Sequence, residues 1–524
     1  MEYKVLITTS GTGSRLGDIS KYTNKALARV GKKPVISYII DSYPVETPFV
    51  VTIGYFGDHV RDFLTLTYPE RNFTFVEIDK FIGDGSSLGY SMLQARDHLQ
   101  CPFIFHASDT MVEGEIVAPT ENWIGVYKGE DATQYSSWRI ESDGKLVFQE
   151  RGATTFDVLH IGLIGIFEYK KFWEQLESLY AENTNDQTLN DCKVLVKMLA
   201  SGSRCTLRHF PVWYDTGNLP ALARARAEAT DHFDNLDKLD ESIFLFDTFV
   251  VKFFHDENSV TERVERARTL GNLVPTIEDS RKNFYRYSYA NGRTYADVAT
   301  PASFVEFLLW AKTYLWKPVR VANDATFAAI CRDFYVEKTK KRVAQFLAQH
   351  NLKDEEHVIN GESVPTIAAM LEMLDVEWLT TVPQYQFHGD FILDNTIKTD
   401  TGYTLIDWRQ NFGGLLTAGD RYYDLAKLNH NLTVNHEVVA KNQFSIQVEP
   451  GNVVTCDIHR KNNLVECQEL LFAFIESEGL DADRVRLLTS ICWLNMSPLH
   501  HDPYNQFLYY FSKLHLWRAL KNLQ

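Results

Sequence analysis

The chain has 524 residues, 45% of them hydrophobic and 23% charged, with a formal charge of −16. At roughly 150 residues per domain this length points to two to four folded units, able to bury their cores without disulfide or metal staples. The acidic excess excludes non-specific binding to nucleic acid or anionic lipid, which needs a basic footprint, but not phosphate ligands held by a local cluster of donors.

Seven cysteines are scattered without a C-x-x-C pair, so reduced thiols are expected rather than a zinc or redox motif. The opening M-E-Y-K-V-L-I-T-T-S-G has too short an apolar stretch for a signal peptide. No run of about 18 apolar residues predicts a membrane span. A cytoplasmic protein is the expectation.

In chain order, Val5–Thr9, Phe49–Ile53, Phe73–Glu77 and Phe103–His106 read as strands, and Pro34–Asp41, His59–Leu66 and Leu88–Leu99 as helices between them. This alternation predicts a largely parallel sheet with its ligand site at the carboxyl ends of the strands. A polar, helix-prone stretch over 221–240 predicts a domain junction, placed at 232/233. Beyond it, Ile243–Phe254 reads as a strand pair and Thr261–Leu270 as a charged helix. From about Thr300 the pattern is mainly helical, as in Arg342–His350 and Leu464–Glu478.

Directly after the first strand stands S-G-T-G-S-R-L (Ser10–Leu16), followed by N-K-A-L at Asn24–Leu27 and G-K-K-P-V-I from Gly31. Glycines let backbone amides approach a phosphate, and Arg15 and Lys25 supply cations that a triphosphate needs. The G-K-[ST] ending of a Walker A loop is absent. Together these segments resemble the nucleotidyltransferases that make sugar nucleotides and CDP-choline. The resemblance extends to F-I-F-H-A-S-D, ending at Asp109, and to W-Y-D-T-G-N, containing Asp215. It implies a Rossmann-like domain over 1–232 in which Asp109 and Asp215 hold Mg²⁺. Lys25 and Arg15 would act on the phosphates, and Gly11, Thr12 and Gly13 would cradle them. Gly85 and Ser86, in G-D-G-S-S-L-G, would meet the nucleotide base; a plain helix N-terminus capped by Ser86 or Ser87 is the alternative for that loop. T-T-S-G replaces the family's usual L-A-A-G, which leaves the base preference open.

Near residue 390 the chain reads F-H-G-D-F-I-L-D-N-T-I and then T-L-I-D-W-R. Asp390 and Asn395 have the D-x-x-x-x-N spacing of a kinase catalytic loop, and Asp407 follows on a hydrophobic strand. With G-D-R-Y-Y-D-L-A (Gly419–Ala426), this set resembles the choline kinase and aminoglycoside phosphotransferase family. The resemblance implies a bilobal, protein-kinase-like α+β domain over 233–524. Asp390 would be the catalytic base and Asn395 and Asp407 the metal positions. Lys252 in F-V-V-K-F-F would reach the ATP phosphates, paired with Glu262 or Glu265, although no glycine-rich loop precedes it. Phe284–Tyr295 would form the hinge beside the adenine. His388 is expected to orient the loop, and the aromatic tail around Trp493–Trp517 to be core.

Two such modules in one α/β chain imply a bifunctional enzyme. It would phosphorylate a small alcohol with ATP and then couple the phosphomonoester to a second nucleoside triphosphate, with CTP favoured and Mg²⁺ as cofactor. The product would be an activated donor for surface polysaccharide. An anomeric sugar kinase joined to a sugar-1-phosphate nucleotidyltransferase is the second reading. A nucleotide-sensing scaffold with one dead module is the third.

Overall fold

The computed structural model of the chain describes residues 2–229 and 239–523. It divides into two compact units, one of residues 1–260 and 278–287 and the other of residues 261–277 and 288–524. The 232/233 junction read from the sequence lies outside the described residues. The compact units themselves part after Val260, because the strands that follow the junction pack into the first core. Phe244, Phe253 and Phe284 pack edge-on or tilted against His59 and Phe63 of the helix Gly57–Thr67. Burying that aromatic area outweighs continuity of sequence in deciding where the unit ends.

The first unit is built on a nine-stranded mixed sheet. Phe73–Glu77, Phe49–Ile53, Lys4–Thr8 and Phe103–Ala107 lie side by side and parallel. The inner three of these strands are rich in β-branched and aromatic residues and mostly buried, as expected of strands covered on both faces, while the outer strand Phe73–Glu77 is only partly buried. Beyond Phe103–Ala107 the sheet turns antiparallel through Val158–Ile166, Ser137–Ile140 and Leu146–Gln149. The expected parallel character therefore holds for only one half of the sheet. The first strand leads on to one neighbour and is flanked on its other side by Phe103–Ala107, so the chain reverses direction across the sheet at that point. Ligands of such sheets bind outside the strand ends at this crevice. The expected helix Leu88–Leu99 ends at Gln94, and a separate 3-10 turn covers Arg96–His98. A smaller four-stranded sheet contains Glu241–Leu245 and, next to it, Phe249–Phe254.

The second unit is mainly helical, as the pattern after Thr300 predicts. The helices Arg421–Thr433, Asn462–Ser477, Ala482–Met496 and Tyr504–Asn522 form its interior. Trp493, Tyr504, Tyr509 and Tyr510 are all buried there, so the aromatic tail is core. Helical periodicity hid two small sheets, one joining Arg293–Thr294, Thr396–Thr399 and Gly402–Leu405, the other four-stranded and including Phe444–Glu449 and Val453–Ile458. All seven cysteines are free. Among the described residues no helix is long and apolar enough to cross a membrane.

Candidate functional site

In the first unit the loop after Lys4–Thr8 and the loop after Phe103–Ala107 emerge at the same end of adjacent strands. Gly13 has φ 66°, in the left-handed region, and a Cβ there would stand 2.8 Å from Lys25 Cβ. Only glycine fits both constraints. Open space lies beside Gly11, so a side chain there would be tolerated sterically. Asn24 anchors the loop from below. Its amide donates to Thr9 O and Tyr55 O, at 2.8 and 2.6 Å, while its carbonyl oxygen accepts from Ala26 N.

Asp109 and Asp215 come together through a two-stranded ribbon in which Val212–Asp215 runs antiparallel to Thr110–Glu113. Thr216 N donates to Asp109 O at 2.9 Å, closing the register at the end that carries both carboxylates. A methyl group built on Gly217 would stand 3.0 Å from Asp109 Oδ2, 3.1 Å from Asp215 Oδ1 and 3.4 Å from an Arg15 guanidinium nitrogen. Two carboxylates and a guanidinium thus converge on one small space. Hard oxygen donors of this kind suit Mg²⁺.

The two acids are tuned in opposite directions. Burial pushes Asp109 up, but Lys25, whose Nζ lies 2.8 Å from Oδ2, and Arg15 outweigh it, so this carboxyl falls below its ordinary value. Burial and then repulsion from Asp109 hold the Asp215 carboxyl above its ordinary value. Tyr135 and Asn218 each donate to Asp215 Oδ2 at 3.0 Å, and Gly217 N donates to Oδ1 at 2.8 Å. A bound cation would relieve the remaining repulsion.

A cavity of about 680 Å³ opens beside this pair, lined by Arg15, Asp109 and Asp215 at one end. Its walls include Glu150, Arg151 and the hydrogen-bonded pair His160 and Asp191. The His160 Nε2 to Asp191 Oδ2 distance is 2.8 Å, and the ligating atoms of His160, Asp191 and Cys192 all lie within 4.8 Å of one another. Gly11, Thr12, Gly13, Lys25, Gly85 and Ser86 do not line this cavity. Gly85 has φ 79° within a turn where Ser86 Oγ donates back to Gly83 O, and Ser87 caps the helix Leu88–Gln94. That geometry matches the helix-cap alternative for the loop.

In the second unit Asp390 and Asn395 share one turn. The Asn395 amide donates to both Asp390 O and Oδ2 at 3.0 Å, leaving its carbonyl oxygen as the atom able to ligate a cation. Ile406 N donates to Asn395 O at 2.9 Å, tying the turn to the segment that carries Asp407. Asp407 has φ 58°, a strained left-handed conformation for a non-glycine residue of the kind that clusters at functional sites. Arg263 reaches Asp407 Oδ1 at 3.4 Å and also donates to Trp408 O.

Burial pushes Asp390 up, but Lys427, 2.7 Å away, prevails and holds the carboxyl down at about 2. His388 is fully buried, with Nε2 donating to Ile406 O at 3.0 Å and Nδ1 accepting from Asp390 N at 3.3 Å. Burial lowers its pKa to about 4. Both ring nitrogens serve the backbone, so this histidine positions the loop. Lys252 is buried within Phe249–Phe254 of the first unit. Of its two suggested partners, Glu262 accepts from Asn411 at 2.6 Å and Glu265 is exposed.

Sequence reading passed over several residues that complete these sites. Asp424 accepts from His388 N, Gly389 N and Trp316 Nε1, at 2.8, 2.7 and 3.1 Å, and so fixes the Asp390 loop from behind. Burial raises its carboxyl to about 6. Asp424 and Asn218 stood inside segments already singled out, the first in G-D-R-Y-Y-D-L-A and the second in W-Y-D-T-G-N. Tyr135 and the His160–Asp191 pair carried no local signal, because the packing of a loop, a strand and a helix far apart in the chain brings them in.

No protein-family model matches the chain. It is 22% identical over 225 residues to the bifunctional protein GlmU of Methanococcus vannielii, covering 40% of this chain and 51% of that protein. The chain thus spans about half the length of the curated relative it matches. Among solved structures, it is similar to one described as a glucose-1-phosphate thymidylyltransferase from Bacillus anthracis, at 21% identity and TM-score 0.38 over 45% of this chain and 98% of that one. It is also similar to the CTP:phosphocholine cytidylyltransferase of Streptococcus pneumoniae, at 15% identity and TM-score 0.37 over 43% and 99%.

Proposed function

We propose that the first unit is a nucleotidyltransferase joining a phosphomonoester to a nucleoside triphosphate with release of pyrophosphate. The observation that carries this reading is the convergence of Asp109, Asp215 and Arg15 on the space beside Gly217, in the lining of a cavity large enough for a small acceptor. Asp109 and Asp215 would hold Mg²⁺, which neutralises phosphate charge when bound. Arg15 and Lys25 balance the negative charge that builds on the phosphate oxygens. Tyr135 and Asn218 keep the Asp215 carboxylate aimed. Attack by a phosphate oxygen on the α-phosphorus needs no protein nucleophile, so positioning and fixed cations carry the rate.

The second unit, in the same proposal, phosphorylates the alcohol that becomes this acceptor. Asp390 is the group that orients and deprotonates the hydroxyl, since Lys427 keeps it ionised. Asn395 and Asp407 supply oxygen donors of the kind that hold Mg²⁺ on a triphosphate. CTP is our preferred second nucleotide, and a donor for surface polysaccharide our preferred product.

The test is incubation of the full chain with ATP, CTP, Mg²⁺ and a panel of alcohols, followed by mass spectrometry. ADP, pyrophosphate and a CDP-linked product are expected together. Pyrophosphate with only sugar 1-phosphates would favour the sugar reading. Absence of ADP and pyrophosphate with every substrate would leave the scaffold reading standing.

A further inference from the structure

Around Lys427 and the Asp390 loop the second unit gathers three further cations, Lys338, Arg342 and Arg409, that keeping Asp390 ionised does not require. Lys427 pairs with Asp390 at 2.7 Å. Arg409 stands beside the same loop, because its Cβ lies 2.6 Å from where a Cβ on Gly389 would be. The Arg409 guanidinium and the Lys338 ammonium both face the Phe334 ring, 5.0 and 4.3 Å from its centroid. Lys338 opens the helix Lys338–Gln349 directly after the π-helical turn Asp333–Glu337, and Arg342 follows one turn later. Ala482–Met496 packs on both that helix and Arg421–Thr433, which brings Lys338 and Lys427 to the same buried thiol, Cys492.

These charges lack compensation. Among the described residues, the only carboxylate ion-paired with any of the four cations is Asp390, through Lys427. The Arg409 Nε donates to Asn411 O and Arg342 to the neutral Gln345. Burial, followed by repulsion from Arg409, Arg342 and Lys427, pushes the Lys338 ammonium down to about 7. Burial raises the Cys492 thiol to about 11, so it supplies no counter-charge. Holding several partly buried cations together is costly unless an anion joins them.

We infer that this cluster is the acceptor subsite of the proposed kinase and that the acceptor is an anionic alcohol, with its carboxylate or phosphate held by Lys338 and Arg409. The inference rests on the kinase reading of the second unit. An acceptor hydroxyl must come within hydrogen-bond reach of Asp390, so side chains flanking Asp390 flank the acceptor. A quaternary ammonium such as choline would be repelled here. The step itself is ordinary phosphoryl transfer: the hydroxyl proton passes to Asp390, the hydroxyl oxygen bonds the γ-phosphorus, and the bond to the β–γ bridging oxygen breaks to leave ADP.

Full-length protein with ATP and Mg²⁺ is assayed for ADP against glycerate, glycerol 3-phosphate, glycerol, glucose and choline, and calorimetry measures binding of the same compounds. ADP formation with glycerate or glycerol 3-phosphate is expected, and the two arms separate a carboxylate from a phosphate ligand. Lys338→Gln should raise the acceptor KM by about tenfold or more, with kcat and the KM for ATP nearly unchanged, and Lys338→Arg should restore much of the loss. ADP formed only with glycerol, glucose or choline overturns the inference and leaves the kinase standing. Binding of the anions without ADP sinks the kinase reading and keeps the anion site. Failure of both anions to bind, or a Lys338→Gln effect confined to the KM for ATP, overturns the anion subsite.

Discussion

The two candidate sites hold their acidic groups by opposite means. In the first unit two carboxylates are pressed together and tuned apart, Asp109 down through Lys25 and Arg15, Asp215 up through burial and repulsion. In the second, Asp390 is held ionised by a buried lysine and accepts a hydrogen bond from Asn395, while Asp407 stands nearby in a left-handed backbone conformation. The first arrangement stores repulsion that a divalent cation relieves. The second keeps its carboxylate ionised, ready to accept a hydrogen bond.

That contrast is open to direct tests. Asp390→Asn should lower ATP-dependent phosphorylation of the alcohol by about 10²–10⁴-fold while nucleotidyl transfer to a supplied phosphomonoester stays within about twofold. Equal loss of both activities in coupled assays would dissolve the distinction between the sites. Asp215→Asn should give the mirror pattern, a fall of about 10²–10³-fold in pyrophosphate release with the phosphomonoester accumulating. Gly217→Ala places a methyl group between the two carboxylates, so its Mg²⁺ requirement for pyrophosphate release should rise by about tenfold. An unchanged Mg²⁺ titration would mean that the converging oxygens do not hold the cation.

Smaller effects sharpen the picture. Tyr135→Phe removes the hydroxyl that donates to Asp215 Oδ2, and steady-state kinetics should show a loss of about threefold to tenfold, confined to nucleotidyl transfer. The second unit also makes a pH prediction through His430, which is buried with Nδ1 accepting from Trp493 at 2.7 Å. Burial, then the nearby Lys427, drives its pKa well below the ordinary value. The folded chain therefore binds fewer protons than the unfolded chain below about pH 6.5, and stability present at neutral pH is lost as the pH falls. The thermal midpoint of His430→Leu should fall less than that of the wild type between neutral and acidic pH.

How much of each site could be read from sequence follows from how each is built. Asp390, Asn395 and His388 sit within one short loop, so their spacing carried the geometry directly. Asp109 and Asp215 could be named from their motifs, but the ribbon that joins them pairs strands far apart in the chain. Tyr135, His160 and Asp191 enter the first cavity only through that tertiary arrangement. The cation cluster around Cys492 draws on two helices and the loop of Arg409, and Lys338, Arg342 and Lys427 do not stand out in sequence from an ordinary charged helix face.

By itself the sequence determined an acidic, multi-unit α/β chain, the strand-and-helix order of its first 107 residues, and the loops carrying Gly13, Lys25, Asp109, Asp215 and Asp390. Local period, turn chemistry and spacing act over a few residues, so they survive in a one-dimensional string. Tertiary structure alone decided that the strands after residue 240 join the first core, since aromatic burial against Gly57–Thr67 depends on surfaces distant in sequence. It also decided that four cations gather beside Asp390, because electrostatic neighbourhood is a property of packed helices and not of the net charge of −16.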